Sequence, residues 1–236
     1  MTDLRALWDF EDPVGSEQRF RAAADLAAGA ERAVLLTQVA RALGLQERYD
    51  DGHALLDGVP VGDDRVAAHV ALERGRLLRS SGRPDEARAH FEAAERAATS
   101  AADDALVVDA VHMVALVAEP AERLRTTERA LELARRSSDP AARDWDASLL
   151  TNIGMVHADA GDWPSALTAF EQALAARERI GRAEDVRVSR WMVAWALRHL
   201  GRTDEALATQ RALRAELDAA GLDDPYVDEE LALLGG

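Results

Sequence analysis

The 236-residue sequence contains no cysteine and no lysine, so all 28 of its basic side chains are arginine. Without cysteine, the chain has no disulfide, no thiolate nucleophile and no thiolate ligand for zinc. Without lysine, it has neither a Schiff-base lysine nor the lysine of a phosphate-binding loop. These two absences exclude several large classes of enzyme mechanism.

Aromatic residues make up only 5% of the chain and the formal net charge is −15, whereas apolar residues reach 48%, enough for a packed core. The acidic balance argues against a nucleic-acid partner, because that binding depends on cations meeting phosphates. No run approaches the roughly 18 apolar residues of a membrane-spanning helix, and the first residues lack a secretory signal pattern. We therefore expect a cytoplasmic protein without a membrane partner.

A pattern with a period of about 40 residues runs through the chain. Turn glycines at Gly82, Gly161 and Gly201 are each followed five residues later by alanine and preceded seven residues earlier by a small residue. Two weaker units extend the series, so that the small residues are Ala40, Gly75, Ala115, Gly154 and Ala194. Amphipathic stretches flank each turn, and each unit therefore predicts a helical hairpin.

This order of residues resembles the tetratricopeptide repeat, and more specifically the longer, roughly 40-residue bacterial type. The fourth unit carries the resemblance best, through Leu150, Ile153, Gly154, His157, Gly161, Trp163, Ala166, Phe170 and Ala173. The resemblance implies an all-α superhelix, a solenoid of about five helical hairpins, and a role in binding other proteins.

We predict one continuous solenoid domain with three parts: an N-terminal arm and capping helix (1–30), five repeats (31–220) and a C-terminal capping helix (221–236). Caps are needed because a hairpin cannot bury its apolar face alone. Leu4, Leu7, Trp8 and Phe10 on the arm are interpreted as part of the N-terminal cap. The alternative is that the arm fills the binding groove.

When the small residue of each unit is numbered 8, positions 2, 5, 6, 9 and 13 of the first helix point away from the core. We call this side the groove face, because the resemblance implies that it lines a concave groove. It is polar and basic in the first two units and apolar from the third onward. The predicted binding residues are Arg41, Arg76, His112, Met113, Leu116, Asn152, Met155, Trp191 and Trp195.

Three roles are predicted within this set. The apolar side chains Met113, Leu116, Met155, Trp191 and Trp195 would anchor a partner. The polar side chains Arg41, Arg76 and His112 would orient a polar or anionic end. Asn152 would hydrogen-bond an extended backbone.

The function predicted from these features is that of a non-catalytic adaptor for a protein or peptide. The alternatives are a regulatory sensor that closes around a small peptide or metabolite, and a homodimer or larger homo-oligomer whose groove is the seam between copies. The six histidines show no third ligand at metal-binding spacing. The paired acids fall in turns or at helix starts, and adjacent residues on a helix do not face one another. We therefore predict no catalytic residues, no metal and no cofactor.

Overall fold

The structure, a computed structural model, describes residues 2–235, and this part of the chain contains helices and turns but no β-strand. The predicted all-α fold is confirmed. The chain divides into two compact units, Met1–Ala142 and Arg143–Gly236, and each is described by itself.

The first unit begins with a short 3-10 turn (Arg5–Leu7) and a capping helix, followed by three hairpins. Its helices are α1 (Pro13–Leu26), α2 (Gly29–Leu45), α3 (Tyr49–Asp57), α4 (Asp64–Ser80), α5 (Pro84–Ser100), α6 (Asp104–Leu116) and α7 (Pro120–Arg136). The hairpins are α2–α3, α4–α5 and α6–α7.

The short helix α8 (Pro140–Arg143) contains the boundary between the two units. The second unit then has two hairpins, α9–α10 and α11–α12, and a C-terminal helix. Its helices are α9 (Trp145–Asp159), α10 (Trp163–Ile180), α11 (Ala183–His199), α12 (Thr203–Ala220) and α13 (Pro225–Leu233). The amphipathic periodicity of the sequence predicts helices over 31–44, 47–57, 65–81, 84–98, 104–118, 120–137, 141–160, 163–180, 184–200 and 203–220. The helix ends in the structure agree with these bounds to within two residues, except that the stretch 141–160 is interrupted at Asp144.

The sequence predicts helix starts at Asp64, Asp103 and Asp139, where a carboxylate would cap the helix. The side chain of Asp103 accepts a hydrogen bond from the backbone N–H of Leu106, 3.1 Å away. At α4 this capping role falls to Asp63, which accepts from Val66 at 2.8 Å, and not to Asp64 as expected. Such carboxylates satisfy amide hydrogens that have no partner within the helix. Asp63 and Asp103 therefore have a structural role.

The small residue at position 8 makes room for a phenylalanine on the second helix of the same hairpin. A Cβ atom added at Gly75 would lie 2.4 Å from Cε1 of Phe91, and one added at Gly154 would lie 2.4 Å from Cε1 of Phe170. Both phenylalanines are fully buried. In the last hairpin the corresponding positions hold Ala194 and Gln210.

Gly154→Ala is expected to lower the free energy of unfolding by about 2 kcal/mol. Overpacking a core costs about 1–3 kcal/mol, and a contact this short falls at the upper end, while alanine recovers about 1 kcal/mol of helix propensity. Urea unfolding of the variant measures the change. Phe170→Leu in the same chain should remove much of the cost of Gly154→Ala, and simple additivity of the two changes would contradict the contact.

Gln210→Met is expected to raise the free energy of unfolding by about 1–2 kcal/mol. The Gln210 side chain is completely buried, and neither its Oε1 nor its Nε2 has a hydrogen-bond partner among the described residues. A buried polar group without a partner costs about 1–3 kcal/mol, and methionine has a similar shape without that cost. Thermal unfolding measures the gain, with the exposed Gln18→Met as the control. A destabilised Gln210→Met protein would contradict the prediction.

Candidate functional site

In the first unit, the groove face holds a buried polar network that joins α2, α4 and α6. Nη1 of Arg76 donates to Oε1 of Glu73 at 2.5 Å, and Nη2 of Arg76 donates to both carboxylate oxygens of Asp109 at 2.6 and 2.7 Å. The side-chain amide of Gln38 donates to Oε1 of Glu73 at 3.5 Å. Glu73 is only 1% exposed. The network therefore fastens neighbouring first helices together.

Arg76 is hydrogen-bonded to Glu73 and Asp109, whereas the sequence predicts that it orients a ligand. Burial alone lowers the pKa of an arginine, but the adjacent Asp109 and Glu73 carboxylates raise the pKa of Arg76 above its ordinary value. It is therefore a permanently charged link between α4 and α6, and its role toward a ligand remains a prediction.

The N-terminal arm lies over the α2 part of this face. The indole N–H of Trp8 donates to Oε1 of Gln38 at 3.1 Å. The rings of Trp8 and Phe10 stack with their centroids 4.9 Å apart, and the guanidinium carbon of Arg41 lies 5.3 and 5.4 Å from those centroids. These distances correspond to cation–π contacts.

The same arm also caps the first helices, because Leu4, Leu7 and Trp8 pack against the buried cluster that contains Phe20 and Leu35. In the first unit the arm therefore contacts both the buried cluster of α1 and α2 and the groove-face residues Gln38 and Arg41.

The remaining predicted residues of the first unit lie on α6 and differ in exposure. Met113 is buried in the cluster that contains Leu72 and Phe91, and Leu116 packs against that cluster while remaining partly exposed. Burial is the main cause that lowers the pKa of His112 below its ordinary value. Leu116 is thus the apolar residue of this part of the face that a partner can reach most directly.

In the second unit, the groove face of α11 belongs to an aromatic cluster. The rings of Trp163 and Trp195 meet edge to face with their centroids 4.9 Å apart, and Trp163 stacks on His199 at 3.7 Å. Trp191 lies 5.9 Å from Trp195 between ring centroids. Edge-to-face and offset contacts of this kind hold aromatic side chains in place. The cluster therefore places packed aromatic rings on the groove face of α11.

The two predicted tryptophan anchors have different surroundings. The indole N–H of Trp191 donates to the backbone oxygen of Tyr226 at 3.1 Å, and its ring packs against a cluster that contains Leu213 and Val227. Trp191 therefore helps to hold α13. Trp195 and Met155 pack at the edge of the Phe170 cluster and remain partly exposed, and Asn152 is partly exposed on α9.

Val188 is a candidate residue that the sequence analysis did not name. It occupies position 2 of α11, on the same face as Trp191 and Trp195, and is 49% exposed. The signal in the sequence is an apolar residue at position 2 of the fifth repeat, on the same helix face as Trp191 and Trp195 at positions 5 and 9. Its exposure makes it a better probe of the face than either tryptophan.

Among residues 2–235 no three histidine, aspartate or glutamate side chains are grouped so that they could hold a metal ion. None of the helices in this part of the chain combines the length and the apolar character that a membrane span requires.

Comparison with known proteins supports the repeat fold. The tetratricopeptide repeat family matches residues 145–215. No curated protein matches the sequence. The similarity to solved structures shows that a tetratricopeptide-repeat-like fold extends over most of the chain.

Three similar solved structures illustrate this. The nearly identical TPR-like repeats of a putative kinesin light chain from Podosopora anserina are 16% identical, with a TM-score of 0.61 over 82% of this chain and 99% of that chain. The apo form of RapI is 11% identical, with a TM-score of 0.74 over 98% of this chain and 69% of that one. NprR, the quorum sensor of B. thuringiensis, in complex with its cognate peptide NprX is 15% identical, with a TM-score of 0.56 over 96% and 66%.

Proposed function

We propose that this protein is a non-catalytic adaptor that binds a peptide, or an exposed helix of another protein, on its groove face. The observation that carries the proposal is the partly exposed apolar surface of the second unit, where Val188, Trp195 and Met155 lie on the groove face. Exposed apolar surface of this kind marks interaction sites, and tryptophan is enriched among the residues that dominate binding energy.

The polar side chains of the groove face have a separate role in the proposal, and each unit is treated by itself. In the first unit, Arg41, Arg76 and His112 orient a polar or anionic group of a partner. In the second unit, Asn152 hydrogen-bonds a peptide backbone. Similar structures support a peptide as the partner. NprR has been solved with its cognate peptide NprX, and a Rap protein has been solved with the Competence and Sporulation Factor.

Val188→Asp is expected to weaken peptide binding at least about tenfold, because a charge at an exposed apolar contact must lose its water on binding. The probe is a peptide selected on the purified protein from a displayed random library and then synthesised. Isothermal titration calorimetry measures its affinity for each variant. The matched control is Leu233→Asp on α13, which replaces a more exposed leucine, 67% exposed, in the same unit.

The control is expected to change the affinity less than about twofold, because substitutions away from a contact have small effects. Equal binding by the Val188→Asp protein and the original chain would contradict the proposed face. A Trp191→Ala variant is less informative, because Trp191 also holds α13.

The regulatory sensor is the second candidate, favoured by the similarity to the quorum sensor NprR. Small-angle scattering with and without the selected peptide separates the two functions. An adaptor keeps its radius of gyration, whereas a sensor that closes around its ligand becomes more compact. The remaining alternative is a homo-oligomer whose groove face is the seam between copies. Sedimentation measurements on Val188→Asp test it, because loss of a dimer in this variant would identify the face as that seam.

A further inference from the structure

A cavity of about 90 Å³ in the first unit lies where the N-terminal arm meets the beginnings of α2 and α4. Val34, Leu35 and Val66 line it and are 8%, 0% and 1% exposed. Leu4 of the arm forms a further apolar wall, and it packs against the same buried cluster as Val34 and Val66. The interior of the cavity is therefore apolar, and it suits a hydrocarbon group better than a polar one.

The size of the cavity limits the group that fits. A dry apolar cavity of about 150 Å³ binds benzene, so a volume of about 90 Å³ suits a smaller group, such as a branched chain of about four carbons. The side chains that line an empty cavity lack contacts on one side, and a hydrocarbon group that fills the space supplies them. Binding of such a group therefore gains contact energy as well as apolar burial.

The open side of the cavity is acidic. Asp63 is exposed there, and its Oδ1 atom accepts the backbone N–H of Val66 at 2.8 Å. Arg65 also lines the cavity, but its Nε donates to Asp103 at 3.1 Å, so its charge is balanced. Among the described residues no cation lies within ion-pair distance of Asp63. The dipole of α4 carries about half a positive charge at this end, which the full charge of Asp63 outweighs.

Glu31 adds a second carboxylate to this side and holds the arm against the cavity. Its Oε1 atom accepts the backbone N–H of Thr2 at 2.7 Å and the hydroxyl of Thr2 at 2.9 Å. Leu4 follows two residues later, so this contact keeps the apolar wall of the arm in place. An apolar interior thus adjoins an acidic opening, and this combination favours a ligand with a hydrocarbon group next to a positive charge.

We propose that this cavity binds an aliphatic ammonium ion, with a branched chain of about four carbons against Val34, Leu35 and Val66 and the ammonium group beside Asp63. The net charge of −15 attracts such a cation to the protein. Two kinds of ligand share this chemistry: a free branched-chain amine, and the N-terminal residue of a peptide that has an aliphatic side chain. The proposal is independent of the proposed function, whose supporting observation lies in the second unit.

Three small probes of nearly the same shape test the sign of the charge. Isoamylamine carries a branched chain and a positive charge, isoamyl alcohol carries the same chain without a charge, and isovalerate carries a similar chain with a negative charge. NMR titration measures their binding through the methyl signals of Leu4, which are assigned with Leu4→Met. The amine is expected to bind with a roughly millimolar Kd, the alcohol about fivefold more weakly and isovalerate at least about tenfold more weakly.

A fourth probe tests the apolar part of the site. Methylamine keeps the positive charge of isoamylamine but lacks the branched chain. It is expected to bind at least about tenfold more weakly than isoamylamine, because it buries little apolar surface.

Asp63→Asn tests the acidic opening. Asparagine caps a helix as well as aspartate does, so the change removes the charge and preserves the start of α4. It is expected to weaken isoamylamine about fivefold and to leave the affinity for the alcohol unchanged. The matched control is Asp12→Asn, because Asp12 caps α1 in the same unit by accepting the backbone N–H of Gly15 at 2.9 Å. This control makes the same change of charge and is expected to leave both affinities unchanged.

Val34→Phe tests the cavity itself, because the larger side chain would fill the space. It is expected to abolish the binding of both isoamylamine and isoamyl alcohol. Asp63→Asn carries the test if Val34→Phe destabilises the fold, since it changes the charge without changing the volume of the cavity.

The proposal is overturned if isoamylamine does not shift the Leu4 signals, if isovalerate binds as tightly as the amine, or if methylamine does so. Equal weakening of isoamylamine by Asp63→Asn and Asp12→Asn would also overturn it. L-Leucinamide presents its ammonium group as the N-terminus of a peptide does, and so distinguishes the two kinds of ligand. Tighter binding than isoamylamine identifies a peptide N-terminus, and weaker binding identifies a free amine.

Discussion

Asp109→Ala is expected to lower the free energy of unfolding by about 3–5 kcal/mol, the largest effect predicted for this chain. The side chains of Arg76 and Asp109 are 13% and 12% exposed, and the guanidinium of Arg76 holds both oxygens of the carboxylate. Removing one partner of a buried ion pair leaves the other charge in a poorly solvated position. Urea unfolding followed by circular dichroism measures the change.

The matched control is Glu86→Ala, which removes a two-hydrogen-bond pair with Arg83 on the surface of the same unit. It is expected to produce no measurable change, because water solvates both groups after the pair is broken. A similar loss of stability in Asp109→Ala and Glu86→Ala would show that burial does not make the Arg76–Asp109 pair more important for stability than a surface pair. Replacing the whole network by Glu73→Gln, Arg76→Met and Asp109→Leu is expected to recover most of the stability lost in Asp109→Ala.

His69 is expected to make the protein about 2–3 kcal/mol less stable at pH 4.5 than at pH 7. Burial is the main cause that lowers its pKa to about 4, followed by the charge of Arg65, with the carboxylates of Asp103 and Asp109 opposing and Arg76 adding to the shift. An unfolded histidine titrates near its ordinary value of about 6.5. Between these two values the unfolded chain binds a proton that the folded chain does not, so stability falls as the pH falls.

His69→Leu isolates this contribution. Neither nitrogen of His69 has a hydrogen-bond partner among the described residues, and the residue is 5% exposed, so an apolar side chain is expected to be tolerated. Urea unfolding at pH 7 and pH 4.5 should show a smaller loss of stability for the variant than for the original chain. An identical loss in the two proteins would show that His69 is charged in the folded state or titrates normally.

The helices could be predicted closely because their signals are local. Gly82, Gly161 and Gly201 have positive φ angles of 81°, 73° and 73° at the turns between helices, a conformation that glycine adopts without strain. The contact between Gly154 and Phe170 likewise depends on local spacing, because both residues lie within one hairpin. Repeat structure makes such contacts readable, since each hairpin packs in the same way.

The candidate site could be predicted only in part. The groove face of the first two units was expected to be a polar and basic surface, and the structure shows those polar residues largely buried in contact with one another. Arg76 and Asp109 are 33 residues apart in sequence, and Gln38 and Glu73 are 35 apart. Charged side chains are buried only when they pair with one another. A projection of one helix at a time does not reveal which residues pair when they are this far apart in sequence.

By itself the sequence determined the class of fold, the positions of the helices, the small-residue contacts within hairpins and the residue types along the groove face. These follow from local periodicity and from a repeated pattern of residue sizes. Only the tertiary structure decided that Arg76 is occupied by Glu73 and Asp109, that Arg41 is left without a carboxylate beneath Trp8 and Phe10, and that Trp191 supports α13. Each depends on which side chains from distant parts of the chain are brought together away from water, since burial sets the energy of a charge.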